Sequence, residues 1–174
     1  MVQIYWNNYD FNLNKKYAIY YFGNFSPPHK GHFNIIKPFL NRPNIKIIIK
    51  IFGDELRHGI PLKISKEIFD IYLRDVNNVF FDDKYLTNID YVIFLRGSEN
   101  FNIKSTIEKL HGDLIRKLRK KGILSEILIV DRIPSISSTE LCKNISEIEK
   151  YLPEHLSSTD QKTINEKLHD LNIF

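Results

Sequence analysis

Two stretches of this chain, Tyr17–Phe22 and Ile45–Phe52, are nearly unbroken apolar and aromatic residues. A strand with one wet face alternates polar and apolar positions, whereas a continuous apolar run closed by a turn residue reads as a strand buried on both faces. Gly23 closes the first run and Gly53-Asp54 the second. Between them, Gly31–Asn41 carries Phe33, Ile36, Phe39 and Leu40 at helical spacing, and Arg42-Pro43-Asn44 supplies the stop. The pattern then repeats. Ser65 is placed to cap a helix reaching Arg74, Asn78–Phe81 reads as a strand, and Asp90–Leu95 as another, closed by Arg96-Gly97. Ser105-Thr106-Ile107-Glu108 has capping-box form at the head of a basic amphipathic helix ending at Gly122, and Glu126–Val130 is the fifth strand. Strands alternating with helices demand right-handed crossovers. The expected fold is α/β: a doubly wound, five-stranded parallel sheet with helices on both faces and ligands at the carboxyl ends of the strands.

At 174 residues and 43% hydrophobic composition the chain suits a single domain, with its core at about residues 17–150. Residues 1–16 are expected to form an N-terminal extension, and residues 151–174 a helical appendage with a helix over Asp160–Leu171. The 25 basic residues outnumber 21 acidic ones, which favours anionic ligands. One cysteine, Cys142, excludes an internal disulfide and points to a reducing, cytoplasmic setting. No signal peptide is evident, and Lys46 and Lys50 interrupt the greasiest stretch, so no membrane span is expected.

The decapeptide Gly23 to His32 lies between the first strand and the first helix, where backbone N–H groups favour an anion. His29 and His32, three apart, share one face if the turn between them is helical. Gly31 permits close approach, Lys30 adds charge, and Pro27-Pro28 stiffens the loop. Two blander readings stand beside this one: a metal site, for which no third ligand lies nearby, and two surface histidines flanking a turn glycine.

These residues resemble the G-x-F-x-x-x-H-x-G-H signature of the cytidylyltransferase-like nucleotidyltransferases, matched by Gly23, Phe25, His29, Gly31 and His32. Ile136-Ser137-Ser138-Thr139 is similar to that superfamily's second signature, I-S-S/T-T-x-x-R/K. Ser137 and Glu140 also have plain capping-box spacing. Where the family usually has Arg or Lys, this chain has Cys142, with Lys143 one residue later and about 100° round a helix. The resemblance implies a doubly wound fold that transfers a nucleotidyl group from a nucleoside triphosphate to a small phosphorylated acceptor, with pyrophosphate leaving. It also implies His29 and His32, with Lys30, as catalytic donors to phosphate oxygens. Gly23, Asn24, Phe25, Gly31, Ser137, Ser138 and Thr139 would bind nucleotide, joined by Arg96, Gly97, Ser98 and Glu99 at the end of the fourth strand. In this fold the first and fourth strands are neighbours at the point where strand order reverses, so the residues after Leu95 should face the histidine loop.

The subfamily is open on these residues. Gly53-Asp54-Glu55 looks like the S-D-E of phosphoalcohol cytidylyltransferases, and Arg132 is in register with their R-T-E-G-I-S, which makes Asp54, Glu55 and Arg132 candidate acceptor contacts and favours CTP. Against this, Ser26-Pro27-Pro28 is closer to the N-P-P of nicotinamide and nicotinate mononucleotide adenylyltransferases, which use ATP, and His58-Gly59 stands where the cytidylyltransferases have Lys-Gly. The expected cofactor is Mg2+ carried with CTP or ATP, with no protein metal site. A homodimer is compatible with the sequence. A rival of another class is a nucleotide- or RNA-binding module that has lost its chemistry, motivated by Cys142 and the basic run Arg116–Lys121. That run lacks the interleaved aromatics of a single-strand platform, so nucleic acid is the weaker expectation.

Overall fold

The structure is a computed structural model that describes residues 2–52, 57–85, 87–98 and 103–174. The chain falls into two compact units, one comprising Met1–Phe22, Phe39–Lys50 and Asn77–Asp131, the other Gly23–Pro38, Ile51–Val76 and Arg132–Phe174.

The first unit carries the strands: β1 (Gln3–Tyr5), β2 (Tyr17–Gly23), β3 (Ile45–Ile51), β4 (Val79–Phe80), β5 (Tyr91–Gly97) and β6 (Leu124–Val130). They form one six-stranded sheet in the order β1-β6-β5-β2-β3-β4. The pairs β1/β6, β6/β5, β5/β2 and β3/β4 are parallel. Tyr17 pairs with Tyr91 and Tyr21 with Leu95, so the chain's first long strand does lie beside β5, and the order reverses between them. Every residue of β2 from Tyr17 to Phe22 is at most 3% exposed, as the unbroken apolar run requires. Ala18, Tyr20, Phe22, Val92, Phe94, Ile127 and Ile129 form one face of the sheet. They pack with Ile107, Ile115 and Leu118 of the helix α3 (Ile103–Lys120). Gly122, at φ 73° with nothing near its would-be Cβ, takes the left-handed turn that releases the chain from α3 into β6.

The sheet has six strands where five were expected. The sixth is β1, in the segment read as an extension. Gln3 pairs with Ile127 and Tyr5 with Ile129, and Ile127 N–H donates to the Val2 carbonyl. Aromatic contacts tie the same segment down: Trp6 and Phe11 meet Phe39 with ring centroids 6.0 and 5.8 Å apart, and Phe11 meets Tyr17 at 4.9 Å. Asn78 is the buried polar pin of this unit. Its amide donates to the carbonyls of Phe39 and Ile45, and its oxygen accepts from Asn41 N–H, which fixes the start of β3 next to β4.

The second unit is helical: α1 (Lys30–Ile36), α2 (Leu62–Tyr72), α4 (Ser138–Lys143) and α5 (Ser158–His169). Helix α1 is shorter than its apolar spacing indicated. It becomes a 3-10 turn at Lys37–Phe39, where Pro38 has no N–H for the α-helical ladder. Helix α2 starts at Leu62, after Pro61, and Ser65 is a buried residue inside it instead of its cap. Helix α3 in the other unit likewise begins two residues before Ser105. The helix start marked by the capping-box spacing of Ser137 and Glu140 is α4, which is followed by a 3-10 stretch, Ile145–Tyr151. The C-terminal segment does carry a helix, α5, and it is anchored within its unit. Ile164 and Leu168 of α5 are fully buried, Lys167 pairs with Glu67 at 2.7 Å and Arg74 with Asp160 at 2.8 Å. Among the described residues no helix is long and apolar enough to cross a membrane.

Candidate active site

The loop that leaves β2 is built inward. Phe25, 2% exposed, wedges its ring edge-on between His32 (5.0 Å) and Phe69 (5.1 Å). The Tyr72 hydroxyl donates to the Pro28 carbonyl at 2.9 Å, tying the loop to α2. His29 is the residue before α1 and is fully buried. The two histidines meet at the start of α1: Gly31 N–H points at His29 Nδ1 at 3.2 Å, and His29 N–H donates to His32 Nδ1 at 3.3 Å. Their rings stack with centroids 3.8 Å apart. Accepting at Nδ1 puts the proton of a neutral His32 on Nε2, so that edge of the ring is a donor. Burial, helped by the Arg132 guanidinium, pushes the His29 pKa down to about 3, so this imidazole is neutral at physiological pH.

The segment after Arg132 closes on this loop. Arg132 Nη2 lies 2.9 Å from His29 Nε2 across 103 residues of sequence, and also donates to the Ile136 carbonyl. The Ser138 hydroxyl donates to the Pro27 carbonyl at 2.8 Å across 111 residues, and Asn34 donates to the Ile133 carbonyl at 2.8 Å. A side chain at Gly31 would put its Cβ 3.0 Å from the Pro134 carbonyl oxygen, so the two segments meet this closely because position 31 has none. Ser137 caps α4, accepting from Glu140 N–H while the Glu140 carboxylate accepts from Ser137 N–H at 2.7 Å. The arrangement concentrates imidazole, guanidinium and hydroxyl groups around the histidine loop, with His32 Nε2–H among the donors. Groups of this kind are able to donate to an anion's oxygens.

Solved structures with this architecture are known. One is of a protein assigned as a nicotinate-nucleotide adenylyltransferase from Vibrio parahaemolyticus, 15% identical, with a TM-score of 0.58 over 86% of this chain and 98% of its own. Another is the nicotinic acid mononucleotide adenylyltransferase of Plasmodium falciparum in complex with APC. It is also 15% identical, with a TM-score of 0.57 over 90% of this chain and 96% of its own. This chain has their fold. No protein-family model matches the sequence, and no curated protein matches it either.

The remaining expected residues fall as follows. Gly23 ends β2 and its carbonyl accepts from Phe52 N–H at 2.8 Å, while Asn24 is half-buried beside it. Lys30 is the first residue of α1. In the sheet unit, Arg96 lies over the Phe22 ring at 4.5 Å and donates to the Phe22 carbonyl at 3.0 Å. Gly97 ends β5, and Ser98 N–H donates to the Val130 carbonyl. Asp54, Glu55 and Glu99 lie outside the described residues. Cys142 is partly buried, and desolvation pushes its thiol up to about 11, so it is a neutral group on α4. His58, which in sequence marks only a departure from Lys-Gly, belongs with α4. Its Nε2 lies 3.3 Å from the Thr139 hydroxyl, bringing a third histidine to α4. Nothing local in sequence links residues 58 and 139.

Proposed function

We propose that the chain is a nucleotidyltransferase that moves an adenylyl group from ATP to a mononucleotide of the nicotinate or nicotinamide type, releasing pyrophosphate. The observation that carries this reading is the meeting of the histidine loop with the Arg132–Thr139 segment through two contacts of 2.8 and 2.9 Å. The shared fold supports it, as do the names of the two solved neighbours, which favour adenylyl over cytidylyl transfer.

The chemistry asks little of the protein beyond position and charge. An acceptor phosphate monoester is already ionised at neutral pH, so its oxygen attacks the α-phosphorus without a general base. The new P–O bond forms as the bond to the pyrophosphate oxygen breaks, and the leaving group carries the electron pair away. His32 through Nε2–H, with His29, Lys30 and Arg132, stabilises charge growing on the α- and β-phosphate oxygens. Ser138 and Thr139 would hold the β- and γ-phosphates through their backbone N–H groups and the Thr139 hydroxyl, with Ser137 capping the helix that presents them. Gly23, Asn24, Phe25 and Gly31 would shape the loop against the nucleotide. Among the described residues no three His, Cys, Asp or Glu side chains cluster as a metal site. A magnesium ion arriving with the triphosphate would neutralise charge across the phosphate oxygens.

The test is pyrophosphate release from ATP and from CTP with a panel of acceptors: nicotinate and nicotinamide mononucleotide, phosphocholine, phosphoethanolamine and glycerol 3-phosphate. Release is expected with ATP and a pyridine mononucleotide. Release confined to CTP and a phosphoalcohol would replace this reading with cytidylyl transfer, and no release with any pair would refute the enzyme.

A further inference from the structure

The buried imidazole of His29 stands between two donors. Gly31 N–H faces Nδ1 at 3.2 Å, and the Arg132 guanidinium faces Nε2 at 2.9 Å. A backbone N–H and a guanidinium can only donate, so each of them needs a bare ring nitrogen. A neutral imidazole has one bare nitrogen and one N–H. Protonating the ring makes both contacts repulsive, and burial of the ring opposes that charge. With nothing bound, one of the two contacts must therefore be mismatched. A charge-assisted hydrogen bond is roughly twice as strong as a neutral one, and the Arg132 contact is also the shorter.

We infer that in the unliganded chain Arg132 holds His29 in the Nδ1–H tautomer, and that a phosphate group drawing Arg132 to itself switches the ring to the Nε2–H tautomer. In the first state Nε2 is an acceptor and cannot donate to a phosphate oxygen. In the second, Gly31 N–H finds the bare Nδ1 that its geometry matches, and Nε2–H becomes a donor. One proton leaves Nδ1 and one is bound at Nε2, both exchanged with water, so the ring's charge does not change. Arg132 is thereby a positioning residue: it keeps a donor of the site switched off until an anion arrives. It reaches His29 from a loop whose Ile136 carbonyl it also holds, and that loop runs straight into Ser137–Thr139. Ligand capture by the loop and the state of His29 are therefore coupled through one side chain. The release step rests on the phosphate-binding reading above, whereas the free-state tautomer does not.

The experiment is 15N–1H correlation of the histidine rings in the full chain at neutral pH, free and with saturating inorganic pyrophosphate, on wild type, Arg132→Met and Arg132→Lys. Free wild type is expected to show His29 with a bare Nε2, and pyrophosphate to convert it to Nε2–H. Arg132→Met, with no donor at that position, should show Nε2–H before any ligand is added, and Arg132→Lys should behave as wild type. Nε2–H in the free wild type, or a bare Nε2 persisting in Arg132→Met, overturns the inference. If Arg132→Met does not fold, the free wild-type tautomer alone still decides it. Failure of wild type to bind pyrophosphate overturns the phosphate site and the release step, and leaves the free-state comparison to judge what Arg132 does.

Discussion

His32 and His29 have the same side chain and different burdens. His32 is only half-buried and its Nδ1 is occupied by a backbone N–H, so its replacement should touch chemistry more than folding. His32→Ala should lower the rate of pyrophosphate release by about 10²- to 10³-fold, the usual cost of one preorganised donor, with an unchanged thermal midpoint to within a few degrees. His29 is fully buried, and its pKa falls from 6.5 to about 3 in the fold. The unfolded chain takes up that proton as pH falls through about 6.5, whereas the folded chain refuses it until about 3. Its contribution is thus complete above the unfolded value and is lost on acidification, at up to about 1.4 kcal/mol per pH unit within that window. Urea unfolding at pH 7.5 and 5.5 should show a larger drop in stability for wild type than for His29→Gln. His111, which burial also holds below the ordinary range, contributes to both and cancels in the comparison.

Helix α4 is the element on which site and fold depend together. Its cap residue Ser137 accepts from Glu140 N–H, so Ser137→Ala should cost about 1 kcal/mol, read by denaturant melts, through loss of that bond. This cap, the two histidines and the long strands were legible in the sequence because each is a local pattern: capping-box spacing, a fixed motif, a continuous apolar run. What escaped has no local pattern. Strand β1 is three residues at a sheet edge with an exposed, half-buried, exposed profile, too short for any period to show. The start of α2 was misplaced because Ser65 is a plausible cap by type, while Pro61 and the buried apolar face of Ile68, Phe69 and Tyr72 set the actual helix. Arg132 was read for its register with an acceptor motif, and its contact with His29 is a tertiary event between residues 103 positions apart.

At the scale of the molecule, residues 151–174 contribute Leu152, Leu156, Ile164 and Leu168 to the buried interior of the helical unit. Leu168→Ala in α5 should destabilise by about 2–5 kcal/mol, since that side chain is fully buried, and calorimetry should register it although the mutation removes no group of the candidate site. The central claim is that one triphosphate is gripped by two stretches of chain, residues 29–32 and 137–139. A crystal structure with a non-hydrolysable ATP analogue tests it most directly. Phosphate oxygens within about 2.7–3.2 Å of both His32 Nε2 and the Ser138–Thr139 groups are the predicted result. A triphosphate bound away from either stretch would contradict the account.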